Sequence, residues 1–275
     1  MSSKPGVGSV QSLFSNAAAS GEMSQAAAQI FSAPDIAAVI NQGMCPAIAD
    51  MEVHNPYVTV GVYDDSGSLE MGGITKDMVD GANHYRAELM KSATKDDILY
   101  GIQTINGRWI YPIGDLVTSP ELVAGTNITF DGGTPLYDQI ITASGVLLAE
   151  LKRQKDLGNA GSRGAFLLGT DGFDEHSTHS AEEAATALEA LFATERVLVF
   201  MIGITNQLYV RRKGKTFKQV FMDELRVPER FILEPNADGK SIRKAFQIAS
   251  QASKTASQGA ASHSQIAQSG LTAIT

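Results

Sequence analysis

The chain has 275 residues, of which 43% are hydrophobic and 19% charged, and its formal net charge is −8. This acidic balance argues against a bulk nucleic-acid binder, and no apolar run approaches the ~20 residues that a membrane-spanning helix needs. The single cysteine, Cys45, excludes an internal disulfide framework and fits a reducing compartment, where we expect it to be a buried apolar thiol. The first residues lack the pattern of a secretory signal, so we expect a cytoplasmic protein.

The two ends of the chain differ in composition from its middle. Residues 1–54 form a predicted N-terminal extension, in which Lys4 and Glu22 are the charged residues of the first 29 and a short helix is expected at 31–41. Residues 254–275 are a low-complexity tail rich in Ala, Ser and Gln. Because such segments offer little apolar surface to offset the entropy of ordering, we predict that the start and the tail are flexible or depend on a partner.

Strands and helices alternate between residues 55 and 250. The predicted strands are 57–63, 98–105, 108–111, 164–169, 196–203 and 231–233, and the predicted helices are 75–92, 135–155, 181–193, 218–224 and 240–253. The runs 58–62 and 197–202 are almost continuously apolar, which is typical of central strands covered on both faces. This alternation predicts an α/β fold with a doubly wound, mostly parallel sheet flanked by helices.

Three separated segments carry oxygen donors at the ends of predicted elements. Asp64, Ser66 and Ser68 follow the strand 57–63, Thr134 precedes the helix 135–155, and Asp171 follows the strand 164–169. Ligands of open α/β sheets bind outside the carboxyl ends of the strands, so the two aspartates should meet at one edge if their strands are neighbours. Two carboxylates and three hydroxyls suit a small hard cation such as Mg²⁺, although Mn²⁺ and Ca²⁺ accept the same oxygens.

The local sequence lets these donors converge. The donors after the first strand alternate along the chain, and Gly67 permits a tight bend between them. Thr134 lies at or next to the N-cap of its helix because Pro135 suits the first helical position. Each segment alone is an ordinary polar turn or helix start, and it is the combination in this order that predicts a metal site.

The segments that carry these donors resemble the metal-ion-dependent adhesion site of von Willebrand factor type A (VWA) domains, here of an intracellular, prokaryotic type. The matching residues are Asp64-Asp65-Ser66-Gly67-Ser68, Gly132-Gly133-Thr134-Pro135-Leu136-Tyr137-Asp138 and Thr170-Asp171-Gly172. The resemblance covers residues 55–253 and implies a mostly parallel sheet with one antiparallel edge strand between layers of helices. It also implies that Asp64, Ser66, Ser68, Thr134 and Asp171 bind the metal directly or through water.

The leading functional hypothesis is a metal-dependent protein-binding module in which an Asp or Glu carboxylate of a partner completes the metal shell. By resemblance, such a domain acts as an adaptor or subunit of an intracellular complex, often with an AAA+ ATPase. One alternative is a structural subunit that assembles through its two ends. A Mg²⁺-dependent phosphohydrolase is disfavoured, because no general base or separate nucleophile is evident and Asp64-Asp65-Ser66 lacks the Asp-x-Asp spacing of aspartyl phosphatases.

Several further polar groups have more than one interpretation. Additional acids near the motif (Asp65, Asp131, Asp174 and Glu175) indicate a solvated rim, a cationic partner or a second ion. The pair His176 and His179 is more typical of an exposed loop than of a transition-metal site. The basic run at 211–215 is expected to be a solvated loop, with phosphate or an acidic partner as the alternative ligand.

Overall fold

The computed structural model describes residues 7–44, 53–205 and 214–259. Its centre is a six-stranded sheet in the order β3-β2-β1-β4-β5-β6. The strands are β1 (Tyr57–Tyr63), β2 (Ile98–Thr104), β3 (Trp109–Asp115), β4 (Arg163–Thr170), β5 (Val197–Gly203) and β6 (Ile232–Leu233). Neighbouring strands are parallel except for β3, which pairs antiparallel with β2 at one edge. The prediction of a doubly wound α/β fold is therefore confirmed, including the antiparallel edge strand.

Helices cover both faces of this sheet. They are α4 (Gly67–Met71), α5 (Thr75–Leu89), α6 (Leu136–Asp156), α7 (Ala181–Ala193), α8 (Phe217–Asp223) and α9 (Gly239–Ser257). Because side chains alternate along a strand, Val58, Val60 and Val62 of β1 join the core under α6, α7 and α8, whereas Tyr57 and Tyr63 join the core under α5 and α9. Both cores are apolar, which explains why the central strands read as continuous hydrophobic runs.

The order of the strands reverses between β1 and β4. The chain runs from β1 outward to β2 and β3, then returns to β4 on the other side of β1 and continues to β5 and β6. Tyr63 at the end of β1 lies opposite Gly169 near the end of β4. The loops that leave these two strands therefore open on one crevice, the usual position of a ligand site in such sheets.

Within the N-terminal extension, residues 7–43 form three helices, where the sequence predicted a start that is flexible or depends on a partner. The chain forms α1 (Val7–Ala19), α2 (Gln25–Ser32) and α3 (Pro34–Gly43), which bury Phe14, Phe31 and Ile40 in the same core as α6 and α7. Ile40 and Phe31 pack closely over Gly145 of α6, where an added Cβ would lie 2.4 Å from Ile40 Cδ1. The absence of a side chain at Gly145 is what allows these large side chains of the extension to lie so close to α6.

Smaller differences from the predictions occur at element ends. β3 continues through Pro112 to Asp115, which is compatible with its position at the edge of the sheet. α9 extends to Ser257, four residues past the predicted boundary, and Ala256 in its last turn is buried. No helix in the described part of the chain is long and apolar enough to cross a membrane. Cys45, residues 211–213 of the basic run and most of the C-terminal tail lie outside the described residues.

Candidate metal centre

Asp64 and Asp171 lie side by side at the carboxyl ends of β1 and β4. The backbone N–H of Asp64 donates to the carbonyl of Gly169 at 2.9 Å, which extends the pairing of the two strands by one residue. Both aspartates are fully buried, at 0% exposure. The structure therefore brings together the two carboxylates that the sequence placed 107 positions apart (171 minus 64).

The two serines of the first segment turn toward the same crevice. Ser66 donates its backbone N–H to Asp64 Oδ1 at 2.8 Å, which closes a tight polar turn directly after β1. Its hydroxyl lies 2.8 Å from that of Ser68, and Ser68 Oγ donates to Asp171 Oδ1 at 2.6 Å. α4 begins at Gly67, so Ser68 occupies its first turn. The convergence expected from the alternating spacing is present.

Thr134 reaches the crevice from the loop before α6. It is buried, and its carbonyl accepts the N–H of Glu175 at 2.8 Å, which ties this loop to the loop that leaves β4. Its hydroxyl faces Gly172, where an added Cβ would lie 3.0 Å from Thr134 Oγ1. Pro135 takes the N-cap position of α6, so Thr134 is next to the cap. The glycine after Asp171 thus leaves space for the threonine hydroxyl.

Thr170 belongs to the segment Thr170-Asp171-Gly172 but was not among the predicted ligands. Its hydroxyl donates to Asp64 Oδ2 at 2.5 Å and accepts the backbone N–H of Gly172 at 3.0 Å. It therefore orients one carboxylate and shapes the turn that carries the other. Its position could have indicated this role in the sequence. Thr170 directly precedes Asp171, and the last side chain of a strand lies at the edge of the sheet where ligands bind.

Burial and mutual repulsion make this pair of acids costly to ionise. Burial raises the pKa of Asp64, although hydrogen bonds from Ser66 and Thr170 work against the shift. Burial, and then the charge of Asp64, raise the pKa of Asp171 to about 7. Asp171 Oδ2 is also buried without a hydrogen-bond donor among the described residues. A buried carboxylate oxygen with no protein donor calls for a bound water or ion, and a divalent cation would supply the missing positive charge.

The donor set fits a hard cation. Two carboxylates and the hydroxyls of Ser66, Ser68 and Thr134 are all oxygen donors, which favours Mg²⁺, Mn²⁺ or Ca²⁺ over metals that prefer sulfur or imidazole. No cluster of three or more His, Cys, Asp or Glu side chains suited to a metal occurs within residues 7–44, 53–205 and 214–259. A cation here therefore depends on the hydroxyls as well as on the acids.

Asp65 is not part of a solvated rim, which was one of the interpretations of the extra acids. Its side chain is buried, with 4% exposure, and Oδ1 accepts the backbone N–H of Asn106 at 3.0 Å and the side-chain amide of the same residue at 2.8 Å. Its carbonyl accepts the N–H of Asp131 at 2.9 Å. Asp65 thus fixes the loops after β2 and before α6 next to the site. Glu175 and Asp131 are exposed, as expected of a rim.

The two histidines turn to different partners. His179 Nδ1 lies 2.8 Å from Asp138 Oδ1 at the start of α6, and Nε2 lies 3.9 Å from Asp35 Oδ2 of the N-terminal helices. His176 instead packs over Gly133, where an added Cβ would lie 2.2 Å from His176 Cδ2. The histidines therefore brace the loops around the crevice and do not form a paired transition-metal site.

Comparisons with known proteins give remote structural likenesses. No protein-family model and no curated protein matches the chain. Proximal thread matrix protein 1 of the mussel byssus is similar at 14% identity and a TM-score of 0.49, over 72% of this chain and 48% of that one. A structure of the same protein with a zinc-occupied MIDAS motif gives 16% identity and a TM-score of 0.48 over the same shares. The pilus adhesin SpaC of Lactobacillus rhamnosus GG, in its open conformation, is similar at 13% identity and a TM-score of 0.49, over 75% of this chain and 31% of that one.

The chain spans less than half the length of each of these neighbours. Likenesses at this identity and TM-score say nothing about which ligand this chain binds. The assignment of the crevice between β1 and β4 therefore rests on the residues that line it.

Proposed function

We propose that Asp64, Ser66, Ser68, Thr134 and Asp171 bind a divalent cation, with Mg²⁺ as the first choice, and that the chain is a metal-dependent protein-binding module. The observation that carries this proposal is a pair of adjacent, fully buried carboxylates, one of them with an oxygen that no described donor reaches. The hydroxyls of Ser66 and Ser68 contact the pair, and that of Thr134 faces the neighbouring Gly172. A cation of charge +2 offsets both acids, so the filled site is electrically neutral and can accept a further anionic ligand.

The incoming ligand is proposed to be an Asp or Glu carboxylate of a partner protein. Mg²⁺ prefers six oxygen ligands in octahedral geometry. Five protein oxygens, acting directly or through water, leave one position for an oxygen from outside. Because that oxygen bonds to the metal, removing the cation should abolish partner binding and leave the fold intact.

Binding is proposed rather than catalysis. Thr170 lies next to the proposed ligands and is held by its hydrogen bond to Asp64. Asp65 is engaged with Asn106 and Asp138 with His179, so neither is placed to act as a general base at the metal. The chemistry available is therefore coordination of a carboxylate.

The resemblance to VWA domains suggests a cytoplasmic complex, with an AAA+ ATPase as one candidate partner.

Pull-downs from the native cell should be run with Mg²⁺, with EDTA and with the double variant Asp64→Ala/Thr134→Ala. The control is Asp131→Ala, which changes an exposed acid outside the proposed ligand set. A partner retained by wild type and control in Mg²⁺, and lost in the other two arms, supports the proposal. Partners that are captured equally in Mg²⁺, in EDTA and by the double variant would contradict the proposal and assign the function to another surface.

A further inference from the structure

A second candidate site lies where the N-terminal helices meet the body of the domain. A cavity of about 250 Å³ opens between α1, the turn after it and the carboxyl-terminal half of α6. Its walls are apolar and are formed by Leu13, Phe14, Ala17, Met23, Leu148 and Leu151. Thr194 and Arg196, just before β5, close the far side, which places the cavity at the end of the sheet opposite the metal centre.

The mouth of this cavity is cationic. Lys152, Lys155 and Arg196 line it together with one carboxylate, that of Glu22. Lys155 Nζ lies 2.8 Å from Glu22 Oε1, and Lys152 Nζ lies 4.0 Å from Glu22 Oε2. Lys152 also lies 3.3 Å from Asp156 on its outer side. Three cations therefore share two carboxylates, and one positive charge is left in excess.

The surroundings of Glu22 indicate what kind of anion the mouth accepts. The hydrogen bond from Lys155 lowers the pKa of the Glu22 carboxyl, and the charges of Lys152, Lys155 and Arg196 add to this effect. Arg196 is itself held in place, since one of its guanidinium N–H groups donates to the carbonyl of Ala160 at 2.7 Å. The cations thus already pair with one partly exposed carboxylate that lines the cavity.

We propose that this cavity binds a small aliphatic carboxylate, with its chain among the apolar walls and its carboxylate among Lys152, Lys155 and Arg196. Small-molecule sites in proteins combine apolar walls with a few placed polar groups in this way, and the volume suits a ligand smaller than a typical drug molecule. The ligand carboxylate competes with Glu22 for the same cations. The site is independent of the proposed metal-dependent function and lies at the other end of the sheet.

Calorimetric titration with octanoate tests this proposal, with 1-octanol as the uncharged probe of matched chain length. We expect octanoate to saturate one site and to bind more tightly than octanol, equally in Mg²⁺ and in EDTA. Lys155→Ala should weaken octanoate binding about three- to fivefold, a modest effect because this ammonium is partly exposed. Glu22→Gln should strengthen it, because the competing carboxylate is removed.

Two further variants separate the cavity from general surface binding. Leu151→Trp fills the space between the walls and should abolish octanoate binding, with the fold checked by circular dichroism. Lys91→Ala removes a surface cation that pairs with Glu88 elsewhere on the domain and should leave binding unchanged. Absence of saturable octanoate binding would overturn the proposal. The proposal would also be overturned if octanol bound as tightly as octanoate, or if neither Lys155→Ala nor Glu22→Gln changed the affinity for octanoate.

Discussion

Ser68 Oγ donates a hydrogen bond of 2.6 Å to Asp171 Oδ1 across 103 residues of sequence. This contact joins the first turn of α4 to the loop after β4 and uses one oxygen of Asp171. The other oxygen, Oδ2, is buried without a donor in the described structure. The pair of residues therefore shows how the crevice is held together and which oxygen is available to the proposed cation.

Replacing Asp171 by Asn should stabilise the metal-free protein. The substitution keeps an acceptor for Ser68 and removes one of two buried negative charges, so we expect a gain of about 2 kcal/mol in the free energy of unfolding at pH 8 in EDTA. The same variant should gain no stability from Mg²⁺. Urea unfolding with and without Mg²⁺ measures both effects, and Asp131→Asn is the control on an exposed acid. A destabilised Asp171→Asn protein in EDTA would contradict the proposed strain between the two acids.

The stabilising effect of Mg²⁺ should depend on pH. The pKa of Asp171 is raised from 3.8 to about 7. The metal-free folded protein therefore holds a proton that the unfolded chain has already released, and this group lowers stability as pH rises from about 4 to 7. Mg²⁺ competes with that proton, so the rise in Tm on adding Mg²⁺ should be small near pH 5 and largest above pH 7. A rise in Tm of the same size at both ends of this range would argue against Asp171 as a ligand.

Thr170→Val should weaken metal binding although Thr170 is not a proposed ligand. The valine removes the 2.5 Å hydrogen bond to Asp64 Oδ2 and the acceptor for the Gly172 N–H, while it keeps the shape of the side chain. Loss of such supporting contacts typically costs 10- to 100-fold in metal affinity, and we expect an effect in about this range. Calorimetric titration with Mg²⁺ gives the affinity. Thr186→Val on α7 is the matched control, because this hydroxyl donates to the carbonyl of Glu182 in its own helix. It should leave the affinity for Mg²⁺ unchanged.

Phe31→Ala should destabilise the whole domain. Phe31 is fully buried between the N-terminal helices and α6, with its ring 5.0 Å from that of Phe14. Removing a buried aromatic ring from a packed core costs about 3–5 kcal/mol. Gln29→Ala, at an exposed position of the same helix, should change the free energy of unfolding little. A loss below about 1 kcal/mol for Phe31→Ala in urea unfolding would mean that the extension docks only weakly on the body.

Local patterns in the sequence were sufficient to predict the sheet and to propose most of the residues of the site. The apolar runs 58–62 and 197–202 became β1 and β5 because strands buried on both faces need apolar side chains at every position. The carboxyl ends of parallel strands share one edge, which is why Asp64 and Asp171 could be placed together without a structure. The ligand set itself remains a prediction that metal titration must test.

Only the tertiary structure separated residues that look alike in the sequence. Asp64 and Asp65 are adjacent acids, yet Asp64 lies beside Asp171 while Asp65 is turned to Asn106, because successive side chains after a strand leave in different directions. The same holds for the Ala-rich start of the chain. Its composition is typical of a flexible segment, but Phe31 and Ile40 of its helices pack against α6 at Gly145. Sequence determines which groups are present at each strand end and how apolar each segment is. Packing against partners distant in the chain decides which oxygen is left without a donor and which weakly apolar helix is buried.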